Sequence, residues 1–345
     1  MVAQDFLDRE RGMSVFSKAS EGLAGAVLGL MLAGPALAGV GFQRALIENG
    51  LSIGLWYPSE AAMPEVPNTP FGQALARGAM PAGEALPLVV ISHGNSGWMG
   101  GHAPIAYALA EAGFVVAAPT HSQDSMRIGE PVAAKWMVSR PQDIVATLDF
   151  VTGEWRGAGQ VDTNRIGMFG FSAGGYTALV AGGAVPDIAR GRAFCGAEPE
   201  EFVCKLGLFD GLPDDLEAQL RPAAADGRIG ALVLAAPGLA FAFDPETLAA
   251  LELPVQIWSG SADERVPTAS NAAPLADALP DAELHEVAGA GHFFFLAPCD
   301  PRFEAQAPEI WEMACVDAPE LDRVAFQAEL AAEMAAFFAA ALPAE

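Results

Sequence analysis

Apolar positions follow one another in some stretches of the chain and recur at helical spacing in others. The runs LPLVVISHG (86–94) and RIGMFGFS (165–172) are apolar at most positions, as in strands that a parallel sheet buries on both faces. Residues 102–113 and 140–153 instead have the spacing of amphipathic helices, the second with Pro141 at an early helical position. Because strands and helices alternate, the sequence predicts an α/β fold with a mostly parallel central sheet and helices on both faces.

The alternation stops between residues 185 and 228 and resumes with the strand-like segments IGALVLAAP, LPVQIWSG and AELHEVAG. The interruption contains one pair of cysteines and the acidic helical segment PDDLEAQLR. We interpret residues 185–228 as a small insertion over the sheet, and hence as a candidate lid. Residues 39–345, which end in a helix of amphipathic spacing, are predicted to form one domain.

Residues 1–38 have the features of an export signal. Lys18 precedes an apolar stretch, and the tripeptide ALA at 36–38 fits the small-residue rule for signal-peptidase cleavage. Residues 1–12 are acidic for the start of such a signal, so Met13 is a candidate true start. A membrane anchor is the alternative, but the apolar stretch is short and interrupted by Gly and Pro. We expect an exported protein, periplasmic or secreted, with no stable membrane insertion once the signal is removed.

The charge balance argues against some partners. The chain has 43 acidic and 18 basic residues, a formal net charge of −25. A surface this negative repels phosphate backbones, so nucleic-acid binding is not expected. The charge suits a soluble protein with a neutral or cationic small-molecule partner.

Four cysteines form two close pairs in the sequence, Cys195 with Cys204 and Cys299 with Cys315. In an oxidising compartment such pairs are typical of disulfides, and short loops favour closure between nearest neighbours. Neither pair has CxxC spacing or a nearby histidine, so no metal site is predicted. Four buried free thiols are the alternative.

The segment GFSAG (170–174) places Ser172 between two glycines, where a strand pattern gives way to a helix pattern. A serine at such a junction is typical of a nucleophile elbow, which exposes its hydroxyl at the top of the sheet. The alternative is a plain glycine-rich turn. A hydroxyl also needs a base to become a nucleophile, so the remaining sequence has to supply one.

Two of the five histidines follow Ser172 in the chain, His285 and His292. His285 lies within a strand-like alternation, whereas His292 follows the last strand in a glycine-rich loop and is the predicted base. Asp263 follows another apolar strand and is the predicted acid that orients the imidazole. The chain order serine, acid, histidine is that of α/β-hydrolases.

The segment SHGNSGW (92–98), at the end of the apolar run 86–94, is where this architecture supplies donors for an oxyanion hole. We assign the donors to the backbone amides of Asn95 and Ala173, the latter being the residue after the nucleophile. Trp98, Phe171 and Phe293 lie near these positions in sequence and are the predicted substrate-binding residues.

The chain resembles an α/β-hydrolase of the dienelactone-hydrolase-like and platelet-activating-factor-acetylhydrolase-like group. The resemblance runs from about Gly39 to the C-terminus. It implies the α/β-hydrolase fold, carboxylic-ester hydrolysis, and the triad roles for Ser172, Asp263 and His292. True dienelactone hydrolases use a cysteine nucleophile, so a dienelactone is not the expected substrate. The segments that carry the resemblance are, in order, WYP, LPLVVISHG, APTHSQDS, RPQDI, RIGMFGFSAGG, SGSADERVP, AGHFFFL and the closing helical segment.

The sequence therefore predicts a serine carboxylic-ester hydrolase that works through an acyl-enzyme and acts on small-molecule esters with short or truncated acyl groups. No metal or organic cofactor is expected. A peptidase or amidase with the same triad is the nearest alternative, and a hydrolase-like binding protein without catalysis is a second one. Nothing in the pattern indicates an oligomeric state.

Overall fold

A nine-stranded sheet forms the centre of the chain in the computed structural model, which describes residues 39–344 apart from 127, 129–131, 214 and 221–224. The predicted export signal at 1–38 lies outside the described residues. The strands are β1 (Gly39–Leu46), β2 (Ser52–Ser59), β3 (Ala76–Arg77), β4 (Leu86–Ser92), β5 (Val115–Thr120), β6 (Val161–Phe171), β7 (Ile229–Ala235), β8 (Val255–Gly260) and β9 (Glu283–Val287).

The spatial order of the strands is β3-β1-β2-β5-β4-β6-β7-β8-β9. The six strands β5, β4, β6, β7, β8 and β9 run parallel to one another in that spatial order. Strand β2 is antiparallel to both β1 and β5. In the central register, Val90 of β4 lies opposite Ala117 of β5 on one side and Met168 of β6 on the other. These residues are fully buried, so the prediction of a mostly parallel sheet with continuous apolar strands is confirmed.

Helices cover both faces of the sheet, as the alternating pattern predicted. Apart from short 3₁₀ turns at Ala158–Gln160, Ala240–Ala242 and His292–Phe295, and a π-helical turn at Phe150–Glu154, the helices over the described residues are the following. They are α1 (Ala103–Glu111), α2 (Ala133–Asp149), α3 (Ala173–Ala181), α4 (Ile188–Ala197), α5 (Phe202–Lys205), α6 (Leu216–Leu220), α7 (Pro245–Leu248), α8 (Ala272–Ala278), α9 (Arg302–Gln306), α10 (Pro308–Ala314) and α11 (Arg323–Ala341).

The predicted start of α2 is wrong. The helix begins at Ala133, so Pro141 lies in its interior. A proline has no N–H to donate, which leaves the carbonyl of residue i−4 without its helical partner. Here that carbonyl belongs to Met137, and the buried hydroxyl of Tyr176 donates to it at 3.3 Å. A side chain of α3 thus compensates the break that the proline makes in α2.

The C-terminal helix α11 is long and apolar enough by composition to cross a membrane. Its apolar side chains nevertheless pack with those of α1 and of the sheet, and Leu330, Met334 and Phe338 have essentially no exposed surface. The ring of Phe338 occupies the space above Gly167 of β6, where any added Cβ would lie 2.4 Å from it. We therefore interpret α11 as a core helix of this fold.

The predicted insertion corresponds to the chain between α3 and β7, which forms α4, α5 and α6. Phe194 of α4 stacks on Phe241 with ring centroids 3.9 Å apart. A disulfide joins Cys195 of α4 to Cys204 of α5. The second disulfide joins Cys299 to Cys315, so both predicted pairs are at bonding distance.

Peptide mapping without reduction should recover two linked pairs, Cys195–Cys204 and Cys299–Cys315, because their Cα atoms are 5.1 and 5.7 Å apart and the loops between them are short. Mass spectrometry of the protein before and after reduction checks this, with the reduced sample as the control. Crossed linkages or free thiols would contradict the pairing.

Candidate active site

The residues predicted as a triad follow three parallel strands of the sheet. Ser172 comes directly after β6, Asp263 follows β8 and His292 follows β9. Carboxyl ends of parallel strands meet at one edge of a sheet, where α/β proteins place their ligands. The topology therefore brings together three residues that are far apart in the sequence.

The imidazole of His292 connects the other two side chains. Its Nδ1 lies 2.7 Å from Oδ2 of Asp263, and its Nε2 lies 3.0 Å from Oγ of Ser172. The other oxygen of Asp263 accepts hydrogen bonds from the backbone N–H groups of Arg265 and Val266, each at 2.8 Å. An ionised carboxylate only accepts, so Nδ1–H donates to Asp263 and the lone pair of Nε2 faces the serine hydroxyl.

Ser172 has φ 54° and ψ −117°, a backbone conformation that non-glycine residues rarely adopt. Its N–H donates to the carbonyl of Ala235, and its own carbonyl accepts from Gly175 and Gly238. The turn also needs a glycine at 174, because a Cβ there would lie 2.0 Å from the carbonyl oxygen of Ser92. These constraints give the motif GFSAG the geometry of a nucleophile elbow.

The two backbone N–H groups predicted as oxyanion donors belong to Ala173 and Asn95. Ala173 is the first residue of α3, and Asn95 follows the end of β4. Among the described residues, no acceptor is found for the N–H of either one. A Cβ at Gly94 would lie 3.4 Å from Cβ of Ser172, so the loop that carries Asn95 packs directly against the predicted nucleophile.

A buried polar cluster lies beneath this loop, and sequence reasoning missed it. Arg140 and Asp124 have no exposed surface and form an ion pair, with Nη1 to Oδ2 at 2.5 Å. Burial lowers the pKa of Arg140, and the neighbouring Asp124 carboxylate acts in the opposite direction. One signal in the sequence could have found the arginine, because it shares the apolar face of α2 with Trp136, Met137 and Ile144.

Two neutral histidines extend the cluster. His93 donates from Nδ1 to the carbonyl of Gly94 at 2.7 Å and accepts the N–H of His121 at Nε2. Burial lowers the pKa of both imidazoles well below the ordinary value. Nδ1 of His121 lies 3.2 Å from Asp143, and burial raises the pKa of that carboxyl to about 6. His93 thus links the loop that carries Asn95 to the end of β5 through its two ring nitrogens.

The predicted substrate-binding residues have three different environments. Trp98 is 39% exposed and borders a cavity of about 230 Å³. Phe293 has its ring 4.9 Å from the guanidinium of Arg265. Phe171 is only 2% exposed and packs beneath His292 with ring centroids 4.9 Å apart. Phe171 therefore contacts the imidazole directly, and its role in substrate binding stays a prediction.

The cavity beside Trp98 is mainly aromatic and aliphatic. Phe71 faces Trp98 across it, with ring centroids 6.3 Å apart. Arg44 and Arg77 contribute to its lining, and none of the described residues that line it is acidic. Its residues are Phe42, Arg44, Trp56, Thr69, Pro70, Phe71, Gln73, Leu75, Arg77, Trp98, Met99, Gly100, Ala103, Thr120 and Met126.

No group of three or more His, Cys, Asp or Glu side chains in the part of the chain that the structure describes is placed to hold a metal ion. The groups that the geometry brings together at the site are a hydroxyl, an imidazole and a carboxylate.

Comparison with known proteins gives three likenesses. The family described as platelet-activating factor acetylhydrolase, isoform II, matches residues 72–154. The putative esterase YitV of Bacillus subtilis (strain 168) is 28% identical over 190 residues, which cover 54% of this chain and 71% of YitV. A ferulic acid esterase from Streptomyces cinnamoneus has a similar structure, with a TM-score of 0.58 and 18% identity over 90% of this chain and 91% of its own.

The structural likeness shows that the chain has an α/β-hydrolase fold, as the sequence predicted. All three likenesses fit the esterase group of α/β-hydrolases that the sequence motifs indicated. The matched residues 72–154 include Asn95, Asp124 and Arg140 and end before Ser172.

Replacing Gly174 with alanine should destabilise the protein by about 3 kcal/mol, the upper end of the usual cost of overpacking, because the new methyl group would meet rigid backbone. Thermal or urea unfolding measures this. Gly153→Ala is the matched control, since nothing lies within 4 Å of a Cβ at that position. Equal stability of the two variants would contradict the close approach of α3 to β4.

Proposed function

We propose that this α/β-hydrolase is a serine carboxylic-ester hydrolase with Ser172, His292 and Asp263 as its catalytic triad. The observation that carries the proposal is the continuous hydrogen-bonded chain from the Asp263 carboxylate through the imidazole to Oγ of Ser172. In the proposed reaction His292 takes the proton of Ser172 as Oγ attacks the ester carbonyl. Asp263 then stabilises the imidazolium that forms.

The tetrahedral oxyanion would be bound by the backbone N–H groups of Asn95 and Ala173. Both are free donors beside the nucleophile, and donors fixed at the position of developing charge lower the barrier without reorganising. His292 then protonates the leaving alcohol, which leaves an acyl group on Ser172. His292 next takes a proton from water, the water attacks this acyl-enzyme, and the carboxylic acid is released as Ser172 regains its proton. No step of this mechanism needs a metal or an organic cofactor.

The cavity beside Trp98 is the proposed site for the apolar part of a short or truncated acyl ester. Its volume of about 230 Å³ suits a modest group and not a full lipid chain. The net negative charge of the chain suggested a neutral or cationic substrate, but the residues that line this cavity favour a different substrate charge. With Arg44 and Arg77 in the lining and no acidic residue among the described ones, a neutral or anionic remote end is favoured.

The insertion between α3 and β7 is the proposed lid, and its charge argues against action at a lipid surface. Glu200 is exposed, with only an exposed lysine as its partner, and Glu198 and Asp215 are exposed as well. Moving such carboxylates towards hydrocarbon is costly. A soluble ester therefore fits this segment better than an emulsified triglyceride.

Export to the periplasm or medium is proposed for the same protein. Two pairs of cysteines are joined as disulfides, and such bonds persist in oxidising compartments. The features of residues 1–38 point in the same direction.

Ser172→Ala should lower kcat for p-nitrophenyl butyrate by about a million-fold, the usual effect of losing a triad nucleophile, with little change in thermal stability. A fluorophosphonate probe should label the wild-type protein at Ser172 and leave the variant unlabelled. A variant with a tenth of wild-type turnover would mean that another nucleophile operates. Absence of labelling in the wild type would support a binding protein, and faster cleavage of matched amides would support a peptidase.

Among p-nitrophenyl esters, butyrate should be hydrolysed faster than palmitate, and emulsified palmitate should give no jump in rate at the interface. Trp98→Ala should lower kcat/KM for the hexanoate about tenfold and change that for the acetate little, because an apolar pocket contributes roughly 1–3 kcal/mol per additional methylene. Val324→Ala is the control, since Val324 is an apolar side chain, 66% exposed, on α11. Equal losses for acetate and hexanoate would remove Trp98 from the acyl subsite.

A further inference from the structure

Arg140 is the largest fully buried side chain among the residues that the structure describes, and it carries a charge. We propose that Arg140 and Asp124 are positioning residues that set the spacing between the two oxyanion donors, the N–H groups of Asn95 and Ala173. This inference rests on the proposed function and deepens it. It concerns residues that touch neither the reacting atoms nor the triad.

Asp124 holds the donor loop. One of its carboxylate oxygens, Oδ1, accepts the N–H of Ser96 at 2.6 Å and Nδ2 of Asn95 at 3.0 Å, while Oδ2 binds Arg140. The N–H of Ser96 and the side chain of Asn95 are thereby engaged, and the N–H of Asn95 is left free. Ser96 has φ 56°, a strained value for a serine that persists only where its surroundings impose it.

Arg140 links that loop to the segment that carries the other donor. Its Nη2 donates to the carbonyl of His93 and to Oγ of Ser92 at the end of β4. Its Nε donates to Oγ1 of Thr177 at 2.9 Å, and the same hydroxyl donates to the carbonyl of Ala173 at 2.9 Å. One planar guanidinium thus contacts the segment before Asn95 directly and is linked to Ala173, at the start of α3, through the hydroxyl of Thr177.

The shape of the guanidinium explains why an arginine occupies this position. Its donors are fixed in a plane, so four acceptors on three segments are held in one mutual geometry. A lysine carries the same charge on a flexible stem with a single nitrogen and cannot reach them all. A displacement of one donor by even a fraction of an ångström matters for an oxyanion hole, because the donors act through distance and direction.

If Asp124 and Arg140 had only a structural role, replacing them would lower the stability of the protein without lowering kcat selectively. The chain offers a matched comparison, the ion pair of Asp226 with Arg228. It precedes the amino end of β7, at the opposite edge of the sheet from Ser172. The Asp226 side chain is 8% exposed, so Asp226→Asn makes the same chemical change at a site remote from the chemistry.

The experiment compares three variants of the full chain, Asp124→Asn, Arg140→Lys and Asp226→Asn. We measure kcat, KM, thermal stability and the affinity for a trifluoromethyl ketone, which forms a tetrahedral oxyanion on a serine nucleophile. Asp124→Asn and Arg140→Lys should lower kcat about 100-fold, as loss of one oxyanion donor does, with KM nearly unchanged. The affinity for the ketone should fall by a similar factor, whereas Asp226→Asn should leave kcat unchanged.

Thr177 provides a milder test if the charged variants do not fold. Thr177→Val removes the acceptor of Arg140 Nε with little change in side-chain shape and should lower kcat about tenfold. Thr177→Ser keeps the hydroxyl and should have a kcat close to that of the wild type. Folded Asp124→Asn or Arg140→Lys protein with kcat within twofold of wild type would overturn the inference. The inference would also be overturned if Thr177→Val and Thr177→Ser had the same kcat and both had a raised KM. Since Ser172→Ala and the probe test the triad separately, these outcomes leave the proposed ester hydrolysis standing.

Discussion

The close approach of the α3 backbone to the end of β4 is the constraint on which the rest of the site depends. No side chain fits between Gly174 and the carbonyl of Ser92, which a Cβ would approach to 2.0 Å. This contact forces Ser172 into its strained conformation and turns its hydroxyl towards His292. Three backbone hydrogen bonds from and to Ser172 offset part of that strain. The same approach brings the start of α3 beside the loop of Asn95, so the elbow and the proposed oxyanion hole are consequences of one packing contact.

The charges inside the protein follow a different rule from those on its surface. The surface is strongly acidic, with a formal net charge of −25 for the chain, and most of that charge is solvated. Beneath the proposed oxyanion hole, Asp124 and Arg140 are removed from water, where an ion without partners would be costly. Each charged group is bonded to backbone or side-chain partners on several segments. A fully satisfied buried network is rigid, and rigidity is what fixed dipoles need in order to stabilise a charge that forms only during reaction.

The sequence predicted those features that depend on local pattern and chain order. Continuous apolar runs predicted the parallel strands, and the order of Ser172, Asp263 and His292 predicted the cluster that the hydrogen bonds now describe. It failed where a partner is distant in the sequence. The interior position of Pro141 depends on the hydroxyl of Tyr176, 35 residues later by number, which satisfies the freed carbonyl. The ion pair of Arg140 and the burial of Phe171 depend likewise on packing between elements, which periodicity along one element does not contain.

The insertion contacts the loops of the proposed triad through an interaction that its acidic composition does not predict. The guanidinium of Arg265 contacts two aromatic rings, with its carbon 4.5 Å from the ring centroid of Phe202 in α5 and 4.9 Å from that of Phe293. Arg265 also donates its backbone N–H to Asp263, and Phe293 follows His292 directly. A cation over an aromatic face is attracted to it, so these contacts join α5 to the loops that carry the proposed acid and base. The disulfide between Cys195 and Cys204 connects α5 in turn to α4. Separating α5 from these loops would break the contact between Arg265 and Phe202, so this contact is one place where the position of the proposed lid is coupled to the geometry of the proposed triad.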